Sequence, residues 1–376
     1  MQQQRHALLT QTLGTQREII SFHFGPQRQG KKVYLQAGLH ADEHPGMLAL
    51  HHLKHHLLEL EAAGRLTGEV VLVPIANPIG LGNYVFGRQL GRFELSGREN
   101  FNRNYLDLAA LVREEIANAL GSDPDANVAL IRRCIRKRLD ALKPGTELES
   151  LRHTLLRLAG DADYVIDLHC DSEAMVHLYV HSEQQEQARV LAGFTGAHAV
   201  LHTTEQGGPD ARTYCFDESF TTLWDRLQRQ FPDFPIPLAT FSATLELRGR
   251  HDVSQEQAMH DADALLAYLM HVGLIADAQV KVPTPLCDPT PLAGVEILNA
   301  PHSGVVAYRA PLGSKVEPGC ALADVIDPIS GQVTTLYSNV TGVFYARVIE
   351  RFTESNTELT FVAGHEPLRS GSLLCA

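Results

Sequence analysis

His40 and Glu43 stand three residues apart, between the apolar run Val33-Tyr-Leu-Gln-Ala37 and the break Pro45-Gly46. An imidazole nitrogen and a carboxylate oxygen are both available to a metal at neutral pH, and zinc takes both. His169 arrives near the end of a second apolar run, Ala162-Asp-Tyr-Val-Ile-Asp-Leu-His169. Two histidines and a glutamate with a fourth position left to water are the ligand set of an open, catalytic zinc site. Asp167 falls two residues earlier on the same strand face, where it can orient His169. Cys170, the next residue, points to the opposite face and reads as buried filler. Glu246 sits in a third apolar run, Leu238-Ala-Thr-Phe-Ser-Ala-Thr-Leu-Glu-Leu247. A carboxylate there is costly unless paired or used. Either it pairs with Arg248 or Arg250, or it is the general base beside a metal site.

His40-x-x-Glu43 also admits two other readings. His40-Ala-Asp-Glu-His44 satisfies the H-x-x-E-H pattern, in which both histidines bind zinc and the glutamate is the base. That requires one continuous helix face, and proline belongs in a first helical turn rather than a helix interior. With Gly38 before it and Pro45-Gly46 after, the pentapeptide reads as a turn. Taken alone, the pair is also compatible with an ordinary polar turn holding no metal.

These residues need elements that bring them to one edge. Val33 to Ala37 reads as a buried strand, Met47 to Leu58 as a helix, and Val70-Val-Leu-Val73 as a second strand ended by Asn77-Pro78. Together they form a βαβ unit with a right-handed crossover. In open α/β sheets, ligands collect outside the carboxyl ends of the strands, where His40, Glu43 and His169 all fall. Residues 80 to 105 form a loop-like stretch containing Arg88, Arg92, Arg98, Arg103, Asn100 and Asn102, a local cationic region in an acidic chain. Residues 106 to 160 read as amphipathic helices, and their basic run near Arg132 to Arg138 as a solvated face. His51, His52, His55 and His56 spread over more than one helix face and read as solvated surface. Beyond residue 280 the prolines of Val282-Pro-Thr-Pro285, Asp288-Pro289 and Thr290-Pro291 read as a linker, followed by short alternating strands with regular glycine turns.

The 376-residue chain is long enough for two domains, and 44% apolar with 20% charged residues describes an ordinary globular protein. A formal net charge of −12 argues against a nucleic-acid footprint. No long apolar run or apolar leader is present, so no membrane association is expected and the chain reads as cytoplasmic. The six cysteines (Cys134, Cys170, Cys215, Cys287, Cys320 and Cys375) form no C-x-x-C pair, hence no disulfide framework or zinc ribbon.

In their order along the chain, His40-x-x-Glu43, Asn102-Arg103, Asp167-Leu-His169 and Thr244-Leu-Glu246-Leu-Arg248 resemble the motifs of the succinylglutamate desuccinylase/aspartoacylase family of zinc carboxypeptidase-like enzymes. The resemblance runs from about residue 33 to residue 250. It implies an α/β fold: a mixed-sheet, zinc carboxypeptidase-like three-layer domain over residues 1–281, with a helical insertion at about 106–160. Residues 288–376 would form a small all-β, barrel-sandwich-like domain; it has no Asp-Lys-Ala lipoylation site, which argues against a swinging arm. The resemblance further implies one zinc per chain on His40, Glu43 and His169, with Glu246 as base and acid. Asn102 and Arg103 would hold a substrate carboxylate. A second arginine would join them; Arg92 fits best, with Arg88 and Arg98 as alternatives. The implied reaction removes an acyl group from a carboxylate-bearing N-acyl amino acid. A metallocarboxypeptidase acting on short peptides and a non-catalytic metal-binding protein are the alternatives. The partner is then a small carboxylate, with self-association left open.

Overall fold

The computed structural model describes residues 1–10, 12–204, 214–370 and 373; Cys375 lies outside them. Strands β1 (Gln2–Ala7), β2 (Glu18–Phe24) and β3 (Lys32–Ala37) lead into helix α1 (Pro45–Ala62) and strand β4 (Glu69–Val73). A short helix α2 (Pro78–Leu81) and a small hairpin, β5 (Tyr84–Val85) and β6 (Arg88–Gln89), follow. Helices α3 (Leu108–Ile116), α4 (Pro124–Ala141) and α5 (Glu147–Ala159) precede strands β7 (Tyr164–Asp171), β8 (Glu173–Ala174) and β9 (His177–His181). Next come α6 (Gln185–Thr195), β10 (Ala199–Thr203), α7 (Glu218–Gln230), β11 (Phe241–Gly249), α8 (Gln255–His271) and β12 (Pro289–Pro291).

Nine strands make one mixed sheet in the order β1-β2-β4-β3-β7-β11-β9-β10-β12. Its centre, β4-β3-β7-β11, is parallel, so four carboxyl ends meet at one edge. The period-two alternation of each strand sorts its side chains into two helical layers. Val33 and Leu35 face Leu50, Leu53 and Leu57 of α1 and Leu265 and Leu269 of α8. Tyr34 faces the other way, into a core with Leu151, Leu155, Phe216 and Trp224. The result is a three-layer α/β arrangement. The stretch 106–160 supplies α3, α4 and α5, which fill one of those layers.

The chain then passes along the large sheet once more. In β12, Pro289 and Pro291 pair in parallel register with Val200 and His202 of β10, making the sheet's last strand. Beyond it come β13 (Val295–Asn299), β14 (Gly304–Tyr308), β15 (Lys315–Val316), β16 (Ala321–Ile326), β17 (Val333–Tyr337), β18 (Gly342–Arg347), β19 (Phe352–Thr353) and β20 (Glu358–Gly364). They form two antiparallel sheets, β13-β20-β18-β15 and β17-β16-β14-β19. β8 pairs with β18 through Ala174↔Ala346, so a strand from between β7 and β9 extends the first of them. Among the described residues no helix is long and apolar enough to cross a membrane.

Candidate functional site

Gly38 carries the chain out of β3 with φ +67°, and a Cβ there would run into the Met47 side chain. That left-handed step, open to glycine at little cost, turns the chain so that His40 to Glu43 forms a tight bend, with the Glu43 N–H donating to the His40 carbonyl at 3.1 Å. Pro45 opens α1 immediately afterwards, where its missing N–H costs nothing. His44 therefore caps the helix outside the bend and its Nε2 meets Gln89 Oε1 at 2.9 Å. The H-x-x-E-H reading fails because His40 precedes the helix and His44 faces a different partner.

His40, Glu43 and His169 converge, with ligand atoms all within 4.8 Å of one another and all three residues buried. Glu43 Oε1 lies 3.0 Å from His40 Nδ1, and its Oε2 lies 2.8 Å from His169 Nδ1. The outer ring nitrogens are committed elsewhere. His40 Nε2 donates to Asn100 Oδ1 at 2.8 Å and His169 Nε2 donates to Asp167 Oδ2 at 3.0 Å. These partners fix the rings so that both Nδ1 atoms aim inward, as the hydrogen-bond partners of zinc-binding histidines do. Two inward nitrogens against one carboxylate demand positive charge between them, from a cation or from protons. The donor set, two imidazoles and a carboxylate, fits a divalent ion such as zinc.

The electrostatics carry the same signature. Burial alone would raise Glu43, yet His40 and His169 hold its carboxyl well below the usual range. Burial works against a charged His169, but Asp167 and Glu43 raise its pKa well above the ordinary imidazole value. His40 moves the other way, lowered by burial and by the Arg92 guanidinium.

The third strand, β11, adds Glu246, which pairs in register with His169. Directly after it the register slips: Glu246 matches His169 but Gly249 matches Asp171, a β-bulge spanning Leu247 and Arg248. Bulges re-aim side chains beside active sites. Arg248 accepts φ +62° there and is anchored by its Nη1 donating to Asp261 Oδ1 of α8 at 3.0 Å. Arg250 faces Asp42 at 3.6 Å. Neither arginine pairs with Glu246, whose buried Oε2 has no hydrogen-bond partner among the described residues. Burial, reinforced by the Glu43 and Asp171 carboxylates, raises its pKa well above the carboxyl norm.

The loop after β6 closes over these strands. The Gly91 carbonyl accepts the Ala41 N–H at 3.0 Å, and a Cβ on Gly91 would collide with the Asp42 backbone nitrogen. This close approach brings Arg92 Nη1 to 3.4 Å from His40 Nδ1 and 3.6 Å from Glu43 Oε1. Arg88 and Arg98 are exposed and do not line the cavity. Asn100 Oδ1 accepts from the Asn102 N–H at 2.9 Å, and Asn102 Oδ1 accepts from the Phe216 N–H at 2.8 Å. Arg103 Nη1 donates to the Asn102 carbonyl at 2.8 Å and approaches Cys215 Sγ at 3.2 Å.

A cavity of about 320 Å³ gathers His40, Glu43, His169, Glu246, Arg92, Asn102 and Arg103. Asp167 stands behind it, wholly buried. The Cys170 side chain is buried, as expected, at the cavity wall, and its backbone N–H donates to Glu43 Oε2 at 3.1 Å. Asn100 and Arg250 enter the sequence reading only as a loop residue and as a possible partner for Glu246, and Tyr179 and Phe361 do not enter it. Asn100 was legible in principle, two residues before Asn102. Tyr179 and Phe361 reach the cavity only through strand register.

Residues 29–272 match the succinylglutamate desuccinylase/aspartoacylase catalytic domain. Among solved structures, a succinylglutamate desuccinylase/aspartoacylase family protein from Shewanella amazonensis is 24% identical, with 96% of this chain and 98% of that one covered at a TM-score of 0.82. One from Shewanella frigidimarina is 22% identical, with 96% of each chain covered at a TM-score of 0.83. The ectoine utilization protein EutE (DoeB) of Ruegeria pomeroyi, in its product-bound form, is 17% identical, with 96% of this chain and 94% of that one covered at a TM-score of 0.65. At these identities the likeness is one of fold. No curated protein matches the chain.

Proposed function

The chain belongs to the succinylglutamate desuccinylase/aspartoacylase family, and on that premise we propose that it is a zinc-dependent amide hydrolase removing the acyl group from a carboxylate-bearing N-acyl amino acid. One observation carries the reading. The His40–Glu43–His169 cluster, an unpartnered carboxylate oxygen on Glu246 and the Asn102–Arg103 pair all open on the same cavity. Held by those three ligands, a single zinc ion would supply Lewis acidity, acidifying water to near neutrality and polarising a carbonyl.

The rest is work for the chain's own groups. Arg103 offers a planar fork that matches a carboxylate, and the Asn102 main chain and side chain hold that arginine and its loop in place. Glu246 takes a proton from the attacking water as the new C–O bond forms. It returns that proton to the nitrogen as the C–N bond breaks, so the amine leaves neutral. Arg92, the guanidinium nearest His40 and Glu43, stabilises the oxyanion that develops between these events. Asp167 and Asn100 act through the two histidines they orient.

The test is turnover by zinc-loaded protein on a panel of N-acyl amino acids and dipeptides. Cleavage of the acyl amino acids with little action on dipeptides is expected. A preference for dipeptides would make the protein a carboxypeptidase instead. Stoichiometric zinc with no cleavage of either class would make it a non-catalytic metal-binding protein.

A further inference from the structure

The cavity continues beyond the groups used so far. Register places Asp167 and His169 of β7, Thr244 and Glu246 of β11, and Tyr179 of β9 in one row on one face of the sheet: Thr244 pairs with Asp167 on one side and Tyr179 on the other. Neighbouring strands lie ~4.8 Å apart, so Tyr179 stands one strand beyond the Glu246 strand, on the side away from His40 and Glu43. Asn102 lies beside His169, its Nδ2 3.4 Å from His169 Nε2, and fixes the carboxylate-holding end of the cavity. A substrate held there, with its scissile carbonyl between His169 and Glu246, runs its acyl end toward β9.

At that end the wall is aromatic and comes from two parts of the chain. Tyr179 and Phe361 of β20 both line the cavity; both pack on the cluster around the buried Tyr345 of β18, to which Tyr179 is also hydrogen-bonded through its side chain. The Tyr345 and Phe361 rings lie 6.5 Å apart, and His177 seats Tyr345 from below at 4.8 Å. The charges nearby disfavour an anion. Asp171 and Glu246 border this half, and Arg250 is drawn toward Asp42. A second carboxylate would have to face Asp171 and compete with Asp42 for Arg250.

We propose that Tyr179 and Phe361 are specificity-determining residues that select a neutral, flat or branched apolar acyl end, the β18–β20 sheet thereby supplying part of the substrate site. This rests on the deacylase reading. The experiment compares kcat/KM for N-benzoyl, N-isovaleryl, N-succinyl and N-acetyl forms of one amino acid in zinc-loaded wild type, Phe361→Ala and Phe361→Leu. Wild type is expected to favour benzoyl or isovaleryl over acetyl by about tenfold or more. Phe361→Ala should cut that ratio by roughly 10-fold, with Phe361→Leu between them, a span that apolar pockets achieve through a few methylene-sized contacts. An equal loss on every acyl group in Phe361→Ala overturns the proposal, as does a wild-type preference for N-succinyl, which would make Arg250 the reader. Calorimetric binding of the same compounds to zinc-loaded Glu246→Gln protein separates the two inferences. Tighter binding of the benzoyl form without cleavage by wild type overturns the deacylase reading and leaves the wall. Cleavage with acetyl or succinyl bound best does the reverse.

Discussion

On the β3/β7 side of the cavity every functional group is tied to a second one by a hydrogen bond: His40 to Asn100, His169 to Asp167, Glu43 to the Cys170 N–H. On the β9 side, Phe361 meets Tyr345 ring to ring and most of the wall is apolar packing, with a side-chain hydrogen bond from Tyr179 to Tyr345 as its polar link. The two halves should respond differently to change. In a buried polar network, removing one partner leaves the other desolvated and unpaired. Apolar packing tolerates replacements of similar volume. The first half is suited to fixing a reaction that cannot vary, the second to varying what is processed.

The largest effect expected is loss of the base, Glu246, which stands on β11 between the two halves. Glu246→Gln should lower kcat by about 10² to 10⁴-fold with zinc content unchanged by metal analysis; full turnover in that variant would remove Glu246 from the mechanism. Next comes Asp217, whose carboxyl is pushed up to about 6 by burial and by the nearby Asp167. Because that value lies above the unfolded one of ~3.9, the contribution of Asp217 to stability is greatest at low pH and falls as pH rises between about 4 and 6, by ~3 kcal/mol. Asp217→Asn should remove this fall. Denaturation midpoints at pH 4.5 and 7.5 should then show the variant gaining on wild type at the higher pH. An identical pH response in the two proteins would refute it.

Smaller again are the supports of the histidines. Asp167→Asn and Asn100→Ala should each weaken zinc binding by about 10 to 100-fold, measured by competition with a chelator. The smallest effect belongs to the aromatic half: Phe361→Leu should cost under about 1.5 kcal/mol in urea unfolding. If it cost as much as the change at Asp217, the contrast between a brittle and a tolerant half would be lost.

That contrast also explains what could be read from the residues alone. His40-x-x-Glu43, Asp167-x-His169 and Thr244-x-Glu246 are compact because each lies toward the end of one strand or in the bend just after it, where chain neighbours stay together. The three-layer α/β core was legible for the same reason, since alternation along β3, β4 and β7 is local. Arg92 could not be separated from Arg88 and Arg98 without knowing which loop residue touches Asp42, a contact made by Gly91. Tyr179 and Phe361 carry no local signature; one is set by its pairing with Thr244 and the other by the β18–β20 ladder. Cys170 is buried as alternation predicts, but its contribution to Glu43 comes through the backbone N–H, which no side-chain pattern describes.

The Pro-Thr-Pro strand at the margin of the large sheet has a consequence for the protein in a crowded cell. Two of its three residues have no amide hydrogen to offer, and prolines within sheets belong on the free side of a border strand. A chain arriving there from another molecule finds no ladder to continue, so nine strands can lie side by side without seeding a fibre from that flank.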